Sequence, residues 1–279
     1  LGEYYAAGGT RPLSIVNCDN RLQAKATRLR MEPVFDTWIS DMQRGFLPGR
    51  SLLSHVIDVD HQLRTTAVES EEGAGLFFDF RAAFPSLLHD CLHKVLETLP
   101  VPPWFRHMVF ALYDQNQCEI IAGGIRHRGF GMSSGIRQGC PLSPLLFALV
   151  ADLLLRRLGR KLEGATIRAY ADDVAIVVPD FKAAMPLLVE TFSQFSTFSG
   201  LHLNMRKTFI IPLGEATWEG TETWITNTWP EWVGVNVTGQ TTYLGFVLGP
   251  SCTDHSWHKP LKKFQDRANL WGNIGLSLA

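Results

Sequence analysis

The stretch AYADDVAIVV, residues 169–178, sets two adjacent aspartates, Asp172 and Asp173, between apolar runs. ATIRAY (165–170) before them and VAIVV (174–178) after them have the composition of strands, so the pair falls at a hairpin tip. Carboxylates are costly to bury or crowd unless a cation or hydrogen-bond donors satisfy them. A third aspartate, Asp79, lies in LFFDF (76–80), another short apolar run that suits a buried strand. If these strands are neighbours, Asp79 and Asp172 share one anionic site. Repulsion between close carboxylates destabilises a fold until a cation compensates it. Mg²⁺ takes hard oxygen ligands and keeps positions for water and phosphates. Two such ions can activate an attacking hydroxyl and stabilise a leaving pyrophosphate. An Asp-Asp pair alone also fits a polar turn, so the rest of the chain has to decide.

The chain has 279 residues, 46% hydrophobic and 19% charged, which describes a folded globular protein and excludes a disordered one. No apolar run reaches the roughly 18 residues needed to span a bilayer. The start, LGEYYAAGG, lacks a Met and a signal-peptide pattern and reads as part of a longer or trimmed chain. Five scattered cysteines (18, 91, 118, 140, 252) make neither a disulfide framework nor paired zinc ligands, which suits a reducing, intracellular setting. Cys252, His255 and His258 have ligand-like types without a second cysteine pair and read as loop residues. Asn236-Val237-Thr238 fits a glycosylation sequon, an accidental one in that setting.

The net charge of −1 is not that of a protein gripping many phosphates. Cations occur in three local groups: Arg21, Lys25, Arg28 and Arg30; Arg156, Arg157, Arg160 and Lys161; Lys259, Lys262, Lys263 and Arg267. Each group alone reads as a solvated helix face.

Residues 20–42 have helical periodicity with Leu22, Ala26 and Leu29 on one face, and 51–68 repeat it through Leu52, Val56, Val59 and Leu63. QRGFLPGRS (43–51) between them is a loop. Pro85 opens a predicted helix to Leu96, and another runs to Tyr113. Gly123-Gly124 marks a hairpin in CEIIAGGIRHRGFGM. Leu142–Leu158 is an apolar helix, and 181–198 an amphipathic one ending near Gly200. KTFIIPL is a strand, 215–240 is loops plus one strand at WVGVNV, TTYLGFVLG is a strand or hairpin, and a last helix starts near Trp257. Strands and helices mix without βαβ alternation, which favours an α+β class.

The order of LFFDFRAAF (76–84), SSGIRQGCPLSPLLF (133–147), AYADDVAIVV, SGLHLNMRKT (199–208) and YLGFVLG (243–249) resembles that of reverse transcriptases. RPLSIVNCDNRLQAKA (11–26) and QRGFLPGRS resemble finger motifs of the non-LTR, LINE-like retrotransposon branch, which the RQGCPLSP form also favours. The resemblance spans residues 11 to about 270. It implies a right-hand polymerase with an antiparallel palm sheet: fingers over 1–72, palm over 73–250 with finger-like insertions, and a truncated thumb starting in 251–279. The implied activity is RNA-directed DNA synthesis from a primer 3′-hydroxyl and dNTPs, with two Mg²⁺ ions, an RNA template and a DNA primer. A larger protein or ribonucleoprotein assembly is a further implied partner.

Carried over by residue, Asp79 and Asp172 match metal ligands, Asp173 a supporting carboxylate, and Phe80 a metal-facing main-chain carbonyl. Phe84 stands where the family places the aromatic that excludes a 2′-hydroxyl; a core Phe is the plainer reading. Gly135, Gln138 and Gly139 match the loop beneath the incoming nucleotide, where Gly allows close backbone approach. Lys207 matches a general acid for pyrophosphate or a triphosphate contact, or is a solvent-facing Lys. Arg11 resembles a triphosphate grip, Arg50 a similar residue or a template contact, and Tyr243, Leu244 and Gly245 the primer grip. Pro85 departs from the pattern, since many relatives carry an aspartate there, and no endonuclease, zinc-knuckle or RNase H segment is seen. The rival from another class is a retroelement-derived, inactive fragment that serves as a binding or structural subunit.

Overall fold

The computed structural model describes residues 16–214, 218–252 and 254–273. Two helices lead, α1 (Cys18–Trp38) and α2 (Leu52–Glu69). α2 starts where the Ser51 side chain accepts from Ser54 N–H, a capping arrangement that satisfies an orphan helix donor. Strand β1 (Ala74–Phe78) follows, then α3 (Ala83–Ser86), α4 (His89–Thr98) and α5 (Pro103–Tyr113). A hairpin, β2 (Gln117–Ala122) and β3 (Ile125–Gly131), precedes the long apolar helix α6 (Ser143–Lys161). The aspartate hairpin is β4 (Thr166–Tyr170) and β5 (Asp173–Val178). Then come α7 (Phe181–Ser199), β6 (Phe209–Pro212), α8 (Trp218–Thr228), β7 (Asn236–Val237), the hairpin β8 (Thr241–Tyr243) and β9 (Phe246–Leu248), and α9 (His258–Asn273).

Among the described residues a five-stranded sheet runs β4-β5-β1-β6-β7. It is antiparallel from β4 to β6, and β7 adds a parallel edge to β6. All five residues of β1 are buried, because both faces of the sheet are covered. Ala74, Leu76 and Phe78 belong to the large core with α4, α6 and α7. Phe77 turns to the other face, into a second cluster with Val56, Val59 and Leu63 of α2 and Tyr243, Phe246 and Leu248 of the β8–β9 hairpin. That alternation is the period-2 geometry of a strand, and it decides which way Asp79 points.

Three expectations need correction. Leu22, Ala26 and Leu29 lie on the exposed side of α1, Leu22 at 70%; its buried stripe is Ala24, Thr27, Met31 and Phe35. The Phe35 ring, set edge-on against Trp38 and Phe105, carries that side inward. The helix expected from Pro85 to Leu96 is broken between α3 and α4, with Leu87 and Leu88 extended. Leu88 N–H donates to Ser199 O at 2.9 Å and the residue bridges Ser134, so tertiary pairing takes this backbone out of the helix. The stretch 215–240 contains α8 rather than loops, and its strand is only Asn236–Val237. α8 forms because Ile225 is fully buried and Trp224 packs edge-on against Phe181 and Trp229.

Polar side chains fix the C-terminal end of α1. Asp152, buried in α6, accepts from Ser40 N–H at 3.1 Å and from the Ser40 hydroxyl, and pairs with Arg156 at 2.6 Å. Arg50 donates to the carbonyls of Ser40 (2.7 Å), Gln43 (2.6 Å), Ile39 (3.0 Å) and Asp36 (3.2 Å), and to the Asp36 carboxylate. Helix C-termini leave carbonyls unsatisfied, and the Arg50 fork satisfies this one. With its side chain 10% exposed, Arg50 is a helix-end cap, and these bonds take up the fork expected to grip triphosphate or template.

Candidate active site

In the β1–β5 register Phe78 faces Val174. Asp79 is the residue after β1 and Asp173 the first of β5, so both stand at the same end of this strand pair. Both continue the face that carries Phe77 and Ala175, the side of α2 and the β8–β9 hairpin. They line one open cleft of about 160 Å³ together with Lys207, Phe209, Thr242 and Tyr243. Asp172 is the second residue of the two-residue turn between β4 and β5. Its neighbour Ala171 has φ +60, a left-handed conformation that costs an L-residue energy and recurs at functional sites.

Asp79 is held from the segment before β6. Its main-chain carbonyl accepts from Asn204 N–H at 2.8 Å, and its Oδ2 from Asn204 Nδ2 at 3.3 Å. Lys207, in a short 3-10 turn and 65% exposed, places its ammonium 3.5 Å from the same oxygen. Phe80 buries its ring against Phe192 and Phe195, and its main chain forms an antiparallel bridge with Leu203.

The β8–β9 hairpin reaches the aspartate turn from below through Tyr243. Its hydroxyl donates to Asp173 O at 3.3 Å and lies 2.9 Å from Nε2 of the fully buried His55. A hydroxyl has one proton, so with that proton on Asp173 it accepts from His55 Nε2–H. Nδ1 of His55 then keeps a bare lone pair, and it has no hydrogen-bond partner among the described residues. Burial, then Arg44 and Arg168, push the His55 pKa down to about 4, and burial raises that of Tyr243 well above the usual phenol range. Leu244 (φ +50) and Gly245 (φ +90) form the hairpin tip, a pair of left-handed residues that matches the twist of the strands.

His55 makes stability depend on pH. Its folded pKa lies below the unfolded 6.5, so the folded state binds fewer protons and this stability, complete above pH 6.5, is lost as pH falls toward 4. Urea unfolding at pH 7 and pH 5 is expected to differ by on the order of 2 kcal/mol from this group. His55→Phe should remove that part of the slope; an unchanged slope would refute the assignment.

The loop before α6 is tied to the Phe84 segment. Gly135 N–H donates to Leu87 O (2.8 Å), Ile136 N–H to Phe84 O (2.8 Å), and Gly135 O lies 2.9 Å from His89 Nε2. Gly135 has φ +97, and a Cβ there would stand 3.0 Å from Pro85 O. Gly139 (φ +103) is exposed and Gln138 half-buried at the entry to α6. Phe84 stacks on Phe147 of α6 at 5.1 Å and meets Phe46 edge-on at 5.9 Å. Arg11 lies outside the described residues.

Sequence reading missed four contributors: His55, Asn204, Gln43 and Arg28. Arg28, read as part of a solvated helix face, donates to Phe46 O (3.0 Å) and Pro141 O (3.2 Å) and pairs with Glu32. It joins the QRGF loop to the RQGCPLSP loop. Only Asn204 had a visible signal, its fixed place in the GLHLN motif.

The donor set suits a hard divalent cation, since two carboxylates end adjacent strands on one face with a third at the turn. Among the described residues, though, no group of three or more His, Cys, Asp or Glu side chains stands close enough to hold a metal. Lys207 beside Asp79 brings a positive charge to the same cleft.

A twisted sheet with carboxylates at the strand ends, backed by helices and faced by a tyrosine-anchored hairpin, is the palm of a right-hand polymerase. Residues 4–248 match the family described as reverse transcriptase (RNA-dependent DNA polymerase), and the chain belongs to that family. It is 30% identical over 182 residues to the transposon TX1 uncharacterized 149 kDa protein of Xenopus laevis, covering 61% of this chain and 14% of that one. It is 31% identical over 192 residues to the retrovirus-related Pol polyprotein from type-2 retrotransposable element R2DM of Drosophila melanogaster, covering 67% and 18%. These relatives place it with the non-LTR retrotransposons, and it spans under a fifth of their length. The fold is shared with telomerase from Candida tropicalis, solved with a TWJ fragment of telomeric RNA: TM-score 0.58, 12% identity, 85% of this chain and 40% of that one. Among the described residues no helix is long and apolar enough to cross a membrane.

Proposed function

We propose that this chain is the polymerase domain of a retrotransposon reverse transcriptase, copying RNA into DNA. The observation that supports the reading is the open cleft at the end of the β1–β5 pair, lined by Asp79 and Asp173 together with Lys207 and Tyr243. In this reading fingers occupy residues to about 72, the palm 73–250, and the thumb begins beyond. The primer 3′-oxygen forms a bond to the α-phosphorus of a dNTP while the bond to the β-phosphate oxygen breaks, releasing pyrophosphate and one proton. Asp79, Asp172 and Asp173, with the Phe80 carbonyl, would hold two Mg²⁺ ions, which when bound stabilise the attacking and leaving oxygens.

The chain's own groups do the positioning. Lys207, exposed at the cleft, contacts the triphosphate or gives a proton to pyrophosphate. Gly135, Gln138 and Gly139 shape the floor under the incoming base pair. Leu244 and Gly245 at the hairpin tip hold the primer end, while Tyr243 anchors the tip to the catalytic turn. RNA template, DNA primer and dNTP are the partners, and the flanking parts of a longer polyprotein would supply further contacts.

Primer extension on an RNA template tests this. Incorporation that needs Mg²⁺ and disappears in Asp172→Asn is the expected result. Template binding with no incorporation by either protein would instead identify a binding subunit.

A further inference from the structure

Gln43, in the QRGF loop, is fully buried although it is polar. Two of its three side-chain hydrogen bonds go to one residue of the aspartate turn, Ala171, and the third to Gly45 of its own loop. Its Oε1 accepts from the N–H groups of Ala171 and Gly45, each at 2.9 Å, and its Nε2 donates to Ala171 O at 3.1 Å. An amide side chain that takes both the N–H and the C=O of one residue acts as a neighbouring strand would. The main chain extends the pairing: Arg44 N–H donates to Ala169 O at 2.6 Å, and Ala169 N–H to Met42 O at 2.7 Å. The approach is close enough that a Cβ on Gly45 would stand 2.2 Å from Ala171 N.

The residue held this way is the left-handed Ala171 (φ +60), directly before Asp172. A non-glycine residue stays in that region only when its surroundings over-determine it. The loop that does so is itself anchored: Arg50 donates to Gln43 O, Arg28 donates to Phe46 O, and the Phe46 ring meets Phe84.

We infer that Gln43 is a positioning residue that clamps the Ala171–Asp172 turn, so that the QRGF loop sets where the Asp172 carboxylate stands. The consequence for catalysis rests on the polymerase reading above; the clamp itself does not. It links the Phe84 side of the site to the aspartate turn through one buried amide.

The test uses the whole chain with two variants. In Gln43→Ala the ¹³C-methyl NMR signal of Ala171, assigned by its loss in Ala171→Gly, should shift or broaden. In primer extension kcat should fall about 30- to 100-fold with the KM for dNTP within about threefold. Gln43→Glu keeps the shape, and only its protonated carboxyl offers both a donor and an acceptor. Burial favours that neutral form, so its activity relative to wild type should rise about tenfold from pH 8.5 to pH 6, and this variant carries the test if Gln43→Ala does not fold. An unmoved Ala171 signal with kcat within threefold, or a Gln43→Glu ratio flat with pH, would overturn the clamp. A moved Ala171 signal in a protein whose wild type incorporates nothing would uphold the clamp and count against the polymerase reading.

Discussion

Asp79→Asn should lower RNA-templated incorporation by at least about 10³-fold, a loss of about 4 kcal/mol in transition-state stabilisation, without lowering the melting temperature. The two halves follow from different parts of the geometry. Asn keeps the shape of the side chain and can still meet Asn204, 3.3 Å away. What it gives up is the charge that shares the cleft with Asp173 and that Lys207 meets from 3.5 Å. Because Lys207 is 65% exposed, that pair is solvent-screened and contributes little to stability. An exposed ion pair with a large effect on turnover and none on folding is the signature of a group kept for charge. Steady-state kinetics beside a thermal melt would decide it. A variant with activity within tenfold of wild type would remove Asp79 from the chemistry, and one that lost activity and folding together would make it a structural residue.

The candidacy of Asp79 was visible in LFFDF and the order of the motifs around it, and the reason is physical; its contacts with Asn204 and Lys207 were not. β1 and β5 are buried on both faces, so their composition is uniformly apolar and a lone carboxylate at a strand end stands out. The aspartate hairpin, the Gly123-Gly124 hairpin, α2, α6 and α7 were legible for a related reason: glycine, proline and periodic apolar residues mark them directly. α1 misled because its leucines face outward and its buried stripe includes Thr27. α8 was hidden because Trp and Thr have no strong helical preference, and it is packing around Ile225 and Trp224 that holds it. The roles of Gln43, Arg50 and His55 could not be read at all. Gln43 and Arg50 answer main-chain groups left by a turn 128 residues away and by a helix end, and His55 answers a hydroxyl 188 residues away. A buried polar residue is chosen by its partners, and partners are a property of three dimensions.

Phe84→Ala should let ribonucleotides compete, lowering the ratio of kcat/KM for dCTP over CTP by about 10²-fold, about 3 kcal/mol of discrimination. The structure supports both readings of this ring at once. It stacks within 7° of parallel on Phe147 and takes the edge of Phe46, so it contributes to the core. It is nevertheless only half-buried, and its carbonyl accepts from Ile136 N–H in the nucleotide loop. A side chain fixed on two sides cannot swing away from an extra hydroxyl, and that rigidity is what a steric gate needs. The same packing means that removal costs roughly 3–5 kcal/mol of stability, so Phe84→Leu, which retains much of the volume, belongs in the same experiment. If the gate is real, selectivity falls in both variants while dCTP turnover persists in the folded one. If the ring only packs, stability falls and the dCTP-to-CTP ratio stays within about threefold of wild type. The second outcome would leave Phe46, Phe84 and Phe147 as one aromatic stack joining the QRGF loop to α6, and sugar selection would have to come from elsewhere in the cleft.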